Sequence, residues 1–172
     1  HSFGITAAGG AGWQLAEWIV EGEPGIDMLA VDPRRFGGYT SKRYLVAKNE
    51  EAYRDVFTIH YPDEERPDAR PVKTSPVYDK LKRMGAVFGQ RYGWERANWF
   101  APEGVEPKDE WSFRRSNYFE HVGNECRRLR EKVGVIDLTP FTKFEVTGAG
   151  AEGWLDSLVA NKVPTKVGRI AL

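Results

Sequence analysis

The sequence predicts an α+β chain assembled from more than one domain. Three observations carry this. Apolar residues recur at helical spacing in several stretches, among them residues 13–21 and 117–132. Other runs read as short strands: residues 85–91, and 144–147, where Phe144 and Val146 alternate with Glu145 and Thr147. Between the halves lies a charged run at 61–76 that holds Pro62, Pro67, Pro71 and Pro76, read as an extended linker crossing a surface.

Taken in order, residues 3–7 are apolar and partly β-branched and read as a buried strand. Gly9, Gly10 and Gly12 follow as a turn. Leu15, Trp18 and Ile19 then define a helix that Gly22 and Pro24 stop. Residues 22–43 read as loop, with Asp32, Pro33, Arg34, Arg35 and Phe36 at its middle. Residues 44–58 form a helix with Leu45, Tyr53, Val56 and Phe57 roughly on one face. A short helix is expected over 77–84, and 94–100 is dense in aromatics. Residues 101–110 are polar and loop-like. The helix at 117–132 points Val122, Cys126 and Leu129 inward. Strands are expected over 134–138 and 144–147, a turn at Gly148 and Gly150, a helix over 151–160 and the start of a strand at 168–172. Composition shifts place boundaries near 38 and 112, giving domains 1–38, 39–112 and 113–172. Because both ends fall inside predicted elements, the chain reads as an excerpt of a longer protein. It is expected to leave an apolar strand edge at 3–7 and to expose Trp154 and Leu155.

Composition excludes several classes. Twenty-five basic and 25 acidic residues give a net charge of zero over 172 residues. That argues against a nucleic-acid surface and a polybasic membrane patch. Hydrophobic residues at 41% and charged residues at 29% are ordinary globular usage and argue against whole-chain disorder. One cysteine, Cys126, excludes an internal disulfide and a multi-thiolate metal site. The chain reads as belonging to a reducing compartment. No stretch approaches the roughly 18 apolar residues of a membrane span.

Chemistry concentrates in one place. A strand leading through Gly9, Gly10, Ala11 and Gly12 into a helix start would present free backbone N–H groups and the positive end of a helix dipole. Glycine would let a ligand approach the backbone; tight strand–helix packing explains the same residues equally well. The pattern lacks the acidic residue of a full dinucleotide fingerprint. Trp94, Trp99 and Phe100 read as packing aromatics or a stacking surface. His60 and His121 share no metal-ligand spacing with each other or with Cys126. Cys126 has Arg127 and Arg128 beside it, which would favour its thiolate, but its helix face reads as core. Arg114, Arg115, Arg127, Arg128, Arg130 and Lys132 are offset by Glu120, Glu125 and Glu131. No nucleophile–base pair is visible.

Three blocks in order resemble the flavin-dependent dimethylglycine/sarcosine dehydrogenases. Gly4-Ile5 through Glu17-Trp18-Ile19, Gly22-Glu23-Pro24, Asp27 and Asp32-Pro33-Arg34-Arg35-Phe36-Gly37 are similar to the last strand–turn–helix of their amino-acid-oxidase-like FAD domain. Tyr61-Pro62, Arg70-Pro71, Ser75-Pro76-Val77-Tyr78, Gly85-Ala86-Val87-Phe88 and Gly93-Trp94-Glu95-Arg96-Ala97-Asn98-Trp99-Phe100 resemble the mixed central domain. Trp111-Ser112-Phe113 to Glu120, Val133 to Phe141, Lys143 to Gly148 and Asn161-Lys162-Val163-Pro164 look like the first αββα segment of a glycine-cleavage T-protein-like, folate-binding aminomethyltransferase domain.

The resemblance implies an N-methyl amine oxidised at FAD, with the resulting one-carbon unit passed to tetrahydrofolate or released as formaldehyde. It assigns Ala8, Gly9, Gly10, Ala11, Gly12 and Trp13 to FAD. It places the flavin-linking histidine and most folate contacts outside these residues, so the excerpt alone is expected to be inactive, with no catalytic residue and no metal. The implied partners are a small N-methyl amine and an electron-transfer flavoprotein or oxygen as acceptor, without nucleic acid or membrane. The implied location is the bacterial cytoplasm or, in a eukaryote, the mitochondrial matrix. Two other readings are a non-catalytic regulatory protein like the pyruvate dehydrogenase phosphatase regulatory subunit, and a flavin-free folate-dependent aminomethyltransferase or demethylase.

Overall fold

The computed structural model describes residues 4–171. They divide into two compact units, one running to Pro140 and the other starting at Phe141. The first opens on helix α1, Gly4–Glu21. The strand and glycine turn expected over 3–12 are not formed: residues 4–12 are helix, and Phe3 lies outside the described residues. Two physical reasons account for the difference. Ala7, Ala8, Ala11, Leu15 and Ala16 are strong helix formers, which offset a penalty of roughly 1 kcal/mol at each glycine. A strand also needs a neighbour to take its backbone hydrogen bonds, and the sheet of the described residues has only two strands, paired with each other. The helix stops where expected. Gly22 takes φ +85°, and its N–H donates to the Trp18 carbonyl at 3.1 Å.

The loop after α1 is more ordered than its composition suggests. Asp32 caps a 3-10 segment, Pro33–Tyr39, by accepting from the Arg34 N–H at 2.8 Å. The Arg34 guanidinium grips the same carboxylate through Nε (2.9 Å) and Nη2 (2.6 Å) and lies 4.8 Å from the centre of the Trp18 ring, tying the loop to α1. Helix α2, Lys42–Arg54, is capped by the Ser41 hydroxyl, which accepts from the Tyr44 N–H at 3.1 Å.

Residues 61–76 are more than a surface linker. They dock on α2 and on the hairpin that follows. Glu51 of α2 is fully buried and accepts from the Lys48 ammonium at 2.9 Å and from the Asp68 N–H at 2.7 Å, the partners a buried carboxylate requires. On the other side the Lys73 N–H donates to the Gly93 carbonyl at 2.9 Å, and the Lys73 carbonyl accepts from Glu95 N–H at 2.8 Å.

After the short helix α3, Tyr78–Arg83, strands β1 (Ala86–Arg91) and β2 (Trp94–Phe100) form an antiparallel hairpin. The aromatic block at 94–100 is therefore a strand. Its connection is two residues long, and both Tyr92 (φ +49°) and Gly93 (φ +84°) are left-handed, as a type I′ turn demands. The register slips between Val87 and Phe88, which pair with Trp99 and Ala97, so Asn98 bulges. Val87, Trp99 and Ala101 are the buried apolar centre, with Tyr118 and Val122 packed on it.

Helix α4, Phe119–Glu131, covers β2. It holds Val122 against the core as expected, but Cys126 is exposed. Residues 134–138 adopt no strand structure, and Val135 is 96% exposed. In the second unit residues 144–147 likewise form no strand, nor does 168–171. The expected αββα segment thus keeps its helices but not its strands, because an apolar alternating run becomes a strand only against another strand. The second unit is built on α5, Ala151–Leu158. Asp156 of α5 accepts from the Val163 N–H at 2.8 Å, and Trp154 is exposed. The α+β class holds.

Candidate functional site

Residues 8–13 lie in the interior of α1. From Ala8 onward each N–H is spent on the carbonyl four residues back, and the free N–H groups of this helix belong to its first turn. Ala8, Gly9, Gly10, Ala11, Gly12 and Trp13 thus stand inside the helix and not at the helix start where the sequence pattern put them. A side chain added at Gly9, Gly10 or Gly12 would meet nothing within 4 Å, and Trp13 is exposed, its indole N–H bonded to Glu17 at 2.5 Å. Gly9, Gly10 and Gly12 leave this stretch of the helix surface bare beside the exposed Trp13 ring.

The other sequence candidates scatter. His60 is exposed, 3.6 Å from the Glu64 carboxylate. His121 stacks on Trp99, with ring centres 5.4 Å apart and planes 7° from parallel. Arg115 lies over the Phe119 ring at 4.1 Å, and Arg127 donates to Asn124 at 2.6 Å. Glu125 is no surface counter-charge to its arginines: it accepts from the Phe100 N–H at 2.9 Å and pins α4 to β2. Among the described residues no three His, Cys, Asp or Glu side chains group as metal ligands. No helix there is long and apolar enough to cross a membrane.

The polar centre that the structure does assemble lies where the 61–76 run meets the hairpin. Arg70 reaches Glu95 through two hydrogen bonds, Nε at 3.0 Å and Nη2 at 2.7 Å. Nη2 also donates to the Phe88 carbonyl at 2.7 Å. Both side chains are shielded, 14% and 3% exposed. Burial by itself would lower the Arg70 guanidinium; the hydrogen bonds and charge of Glu95 outweigh it and hold its pKa above the ordinary value. Glu65 completes the group by accepting from the Gln90 N–H at 2.6 Å. Gly89 makes room for this, since a Cβ there would strike the Glu65 carboxylate and the Asn98 amide. The arrangement holds no nucleophile–base pair. It positions: one guanidinium fixes the run to both hairpin strands. Charged residues inside a proline-rich run and inside a strand were the sequence signal, and the balanced charge count masked it.

Comparison with known proteins accounts for this junction. Residues 77–172 match the GCVT N-terminal domain family and residues 21–75 the FAD dependent oxidoreductase central domain. The chain belongs to the GCVT N-terminal domain family, preceded by that oxidoreductase domain, the pairing of the flavin-dependent dimethylglycine/sarcosine dehydrogenases. Arg70 and Glu65 lie in the oxidoreductase match, Glu95, Phe88 and Gln90 in the GCVT match.

Among its relatives is the mitochondrial dimethylglycine dehydrogenase of Mus musculus, 42% identical over 167 residues that make up 96% of this chain and 19% of that protein. The 4-methylaminobutanoate oxidase (formaldehyde-forming) of Paenarthrobacter nicotinovorans is 41% identical over 152 residues, 88% of this chain and 18% of that protein. The mitochondrial pyruvate dehydrogenase phosphatase regulatory subunit of Mus musculus is 34% identical over 176 residues, 99% of this chain and 20% of that protein. The chain thus spans about a fifth of the length of the curated relatives it matches.

Proposed function

We propose that this chain is a segment of an FAD-dependent oxidoreductase that demethylates dimethylglycine, sarcosine or a related N-methyl amine and passes the one-carbon unit to tetrahydrofolate. The observation that supports this most is the order of the two matched stretches, joined by the Arg70–Glu95 pair. The names of two relatives supply the substrate class. By itself the segment is expected to be inactive, and no step of the reaction is routed through its residues.

The assignment of residues 8–13 to the flavin rests on the absence of side chains at Gly9, Gly10 and Gly12. If that face lies against the cofactor, Gly10→Leu in the whole protein lowers its flavin content; unchanged flavin content removes these residues from the site. Electrons pass from the flavin to an electron-transfer flavoprotein or to oxygen, in a mitochondrial matrix or a bacterial cytoplasm.

The test is anaerobic addition of dimethylglycine, sarcosine and 4-methylaminobutanoate to the purified whole protein. Bleaching of flavin absorption by one of them is expected, with 5,10-methylenetetrahydrofolate formed when tetrahydrofolate is present. Bleaching with formaldehyde as product despite tetrahydrofolate removes the folate transfer and keeps the oxidation. A protein without flavin favours the second reading, a regulatory role, which rests on the similarity to the phosphatase regulatory subunit.

A further inference from the structure

A cavity of about 310 Å³ opens where residues 61–76, the hairpin and the segment leading into α4 come together. It is at the lower end of ligand-site volumes, roughly 300–1,000 Å³. Its walls combine two chemistries. Three carboxylates line it, Asp63, Glu65 and Asp109, against the single guanidinium of Arg91. That guanidinium is 63% exposed and 3.9 Å from Glu65, a rim position at the mouth of the cavity. The other wall is aromatic. The Trp111 and Tyr118 rings stand 6.2 Å apart with planes 78° from parallel, forming a corner, and both are half-buried.

We propose that this cavity binds a small organic cation, an alkylated ammonium group seated in the Trp111–Tyr118 corner with Asp109 as its counter-charge. The ring faces attract a cation through their quadrupoles. The carboxylate is held in place, because its Oδ1 accepts the Trp99 indole N–H at 2.8 Å. Trp99 is 1% exposed and forms a rigid floor. An anion is disfavoured by the excess of carboxylates. A metal ion is disfavoured because no three acidic or histidine side chains among the described residues stand close enough to ligate one. Burial and the neighbouring Glu65 charge raise the Asp109 carboxyl against the Trp99 hydrogen bond, and a bound cation would relieve that state.

The experiment is equilibrium dialysis of the purified whole protein against labelled choline and, separately, against its uncharged isostere 3,3-dimethyl-1-butanol. Choline is expected to fill a class of sites, one per chain, that the isostere does not fill. Asp109→Asn keeps an oxygen for Trp99 but removes the charge, and Trp111→Leu removes one wall; each is expected to weaken that class tenfold or more while the melting temperature stays within a few degrees. Choline binding unchanged in both variants overturns the proposal. Equal binding of the isostere overturns it as well, leaving an apolar cavity only. The flavin spectrum of the same protein reports separately on the proposed oxidoreductase function, so failure of one is distinguishable from failure of the other.

Discussion

Arg70 and Glu95 stand 25 residues apart in the chain and face each other through two hydrogen bonds of 3.0 and 2.7 Å. One belongs to the stretch that matches the oxidoreductase central domain, the other to the stretch that matches the GCVT domain. The joint between these two regions therefore includes a shielded ion pair. Removing one partner leaves the other charge buried, at a cost of about 3–5 kcal/mol. Arg70→Ala and Glu95→Ala should each lower stability by that order in denaturant titration. Arg70→Lys should restore little, because an ammonium cannot span both Glu95 oxygens and the Phe88 carbonyl at once. Losses below about 1 kcal/mol in both alanine variants would contradict the account.

Asp109 gives a pH dependence with a defined sign. Burial, its largest influence, raises its carboxyl above the ordinary value of 3.8. An acid raised in the folded state binds its proton more tightly there than in the unfolded chain. Its protonation thus favours folding at low pH, and that advantage is lost as pH rises through the folded-state value. Asp109→Asn removes the charge that is costly at neutral pH and keeps the acceptor for Trp99. It should be at least as stable as the parent at pH 7, with the difference shrinking below pH 4. Asp109→Ala strips the Trp99 N–H of its partner and should lose about 1–3 kcal/mol at either pH. Asp32 works in the opposite sense: its hydrogen bonds to Arg34 lower its pKa, so its contribution is present at neutral pH and is lost as pH falls through the lowered value.

The hairpin turn is a place where only glycine serves. Gly93 has φ +84°, and a Cβ there would lie 2.9 Å from the Tyr39 ring. That ring also carries the Lys73 ammonium 4.3 Å from its centre. Gly93→Ala should lose about 1–2 kcal/mol from the backbone alone, and more through displaced Tyr39. If the melting temperature holds within a degree, the turn does not have this geometry.

Much of the fold was legible. Gly22 and Pro24 stop α1 where local chemistry places the stop. Val122 faces the core as its spacing implies. The strand failures share one cause: strand formation depends on partners that local pattern does not contain. Trp94–Phe100 reads as an aromatic block until Tyr92 and Gly93 turn it back on β1. Residues 134–138 have a strand's composition and no strand structure. Arg70 was opaque for the related reason that its meaning lies with Glu95, across a proline-rich run whose composition says surface. Cys126 sits on the face that spacing marks as inward, yet the packing of α4 on β2 leaves it outside.

The last prediction tests the largest of those differences. In a strand–turn–helix, Gly9 and Gly10 would occupy turn positions that an alanine strains. In α1 they are interior helical positions with open space beside them. There a glycine costs roughly 1 kcal/mol relative to alanine, through backbone entropy. Gly9→Ala and Gly10→Ala in the whole protein should therefore strengthen α1. The readout is amide hydrogen exchange over residues 8–20, where each substitution should slow exchange by about fivefold, the factor equivalent to 1 kcal/mol. Faster exchange, with loss of protection spreading from the substitution, would show that these glycines hold a turn and return residues 8–13 to the donor role that the helix denies them.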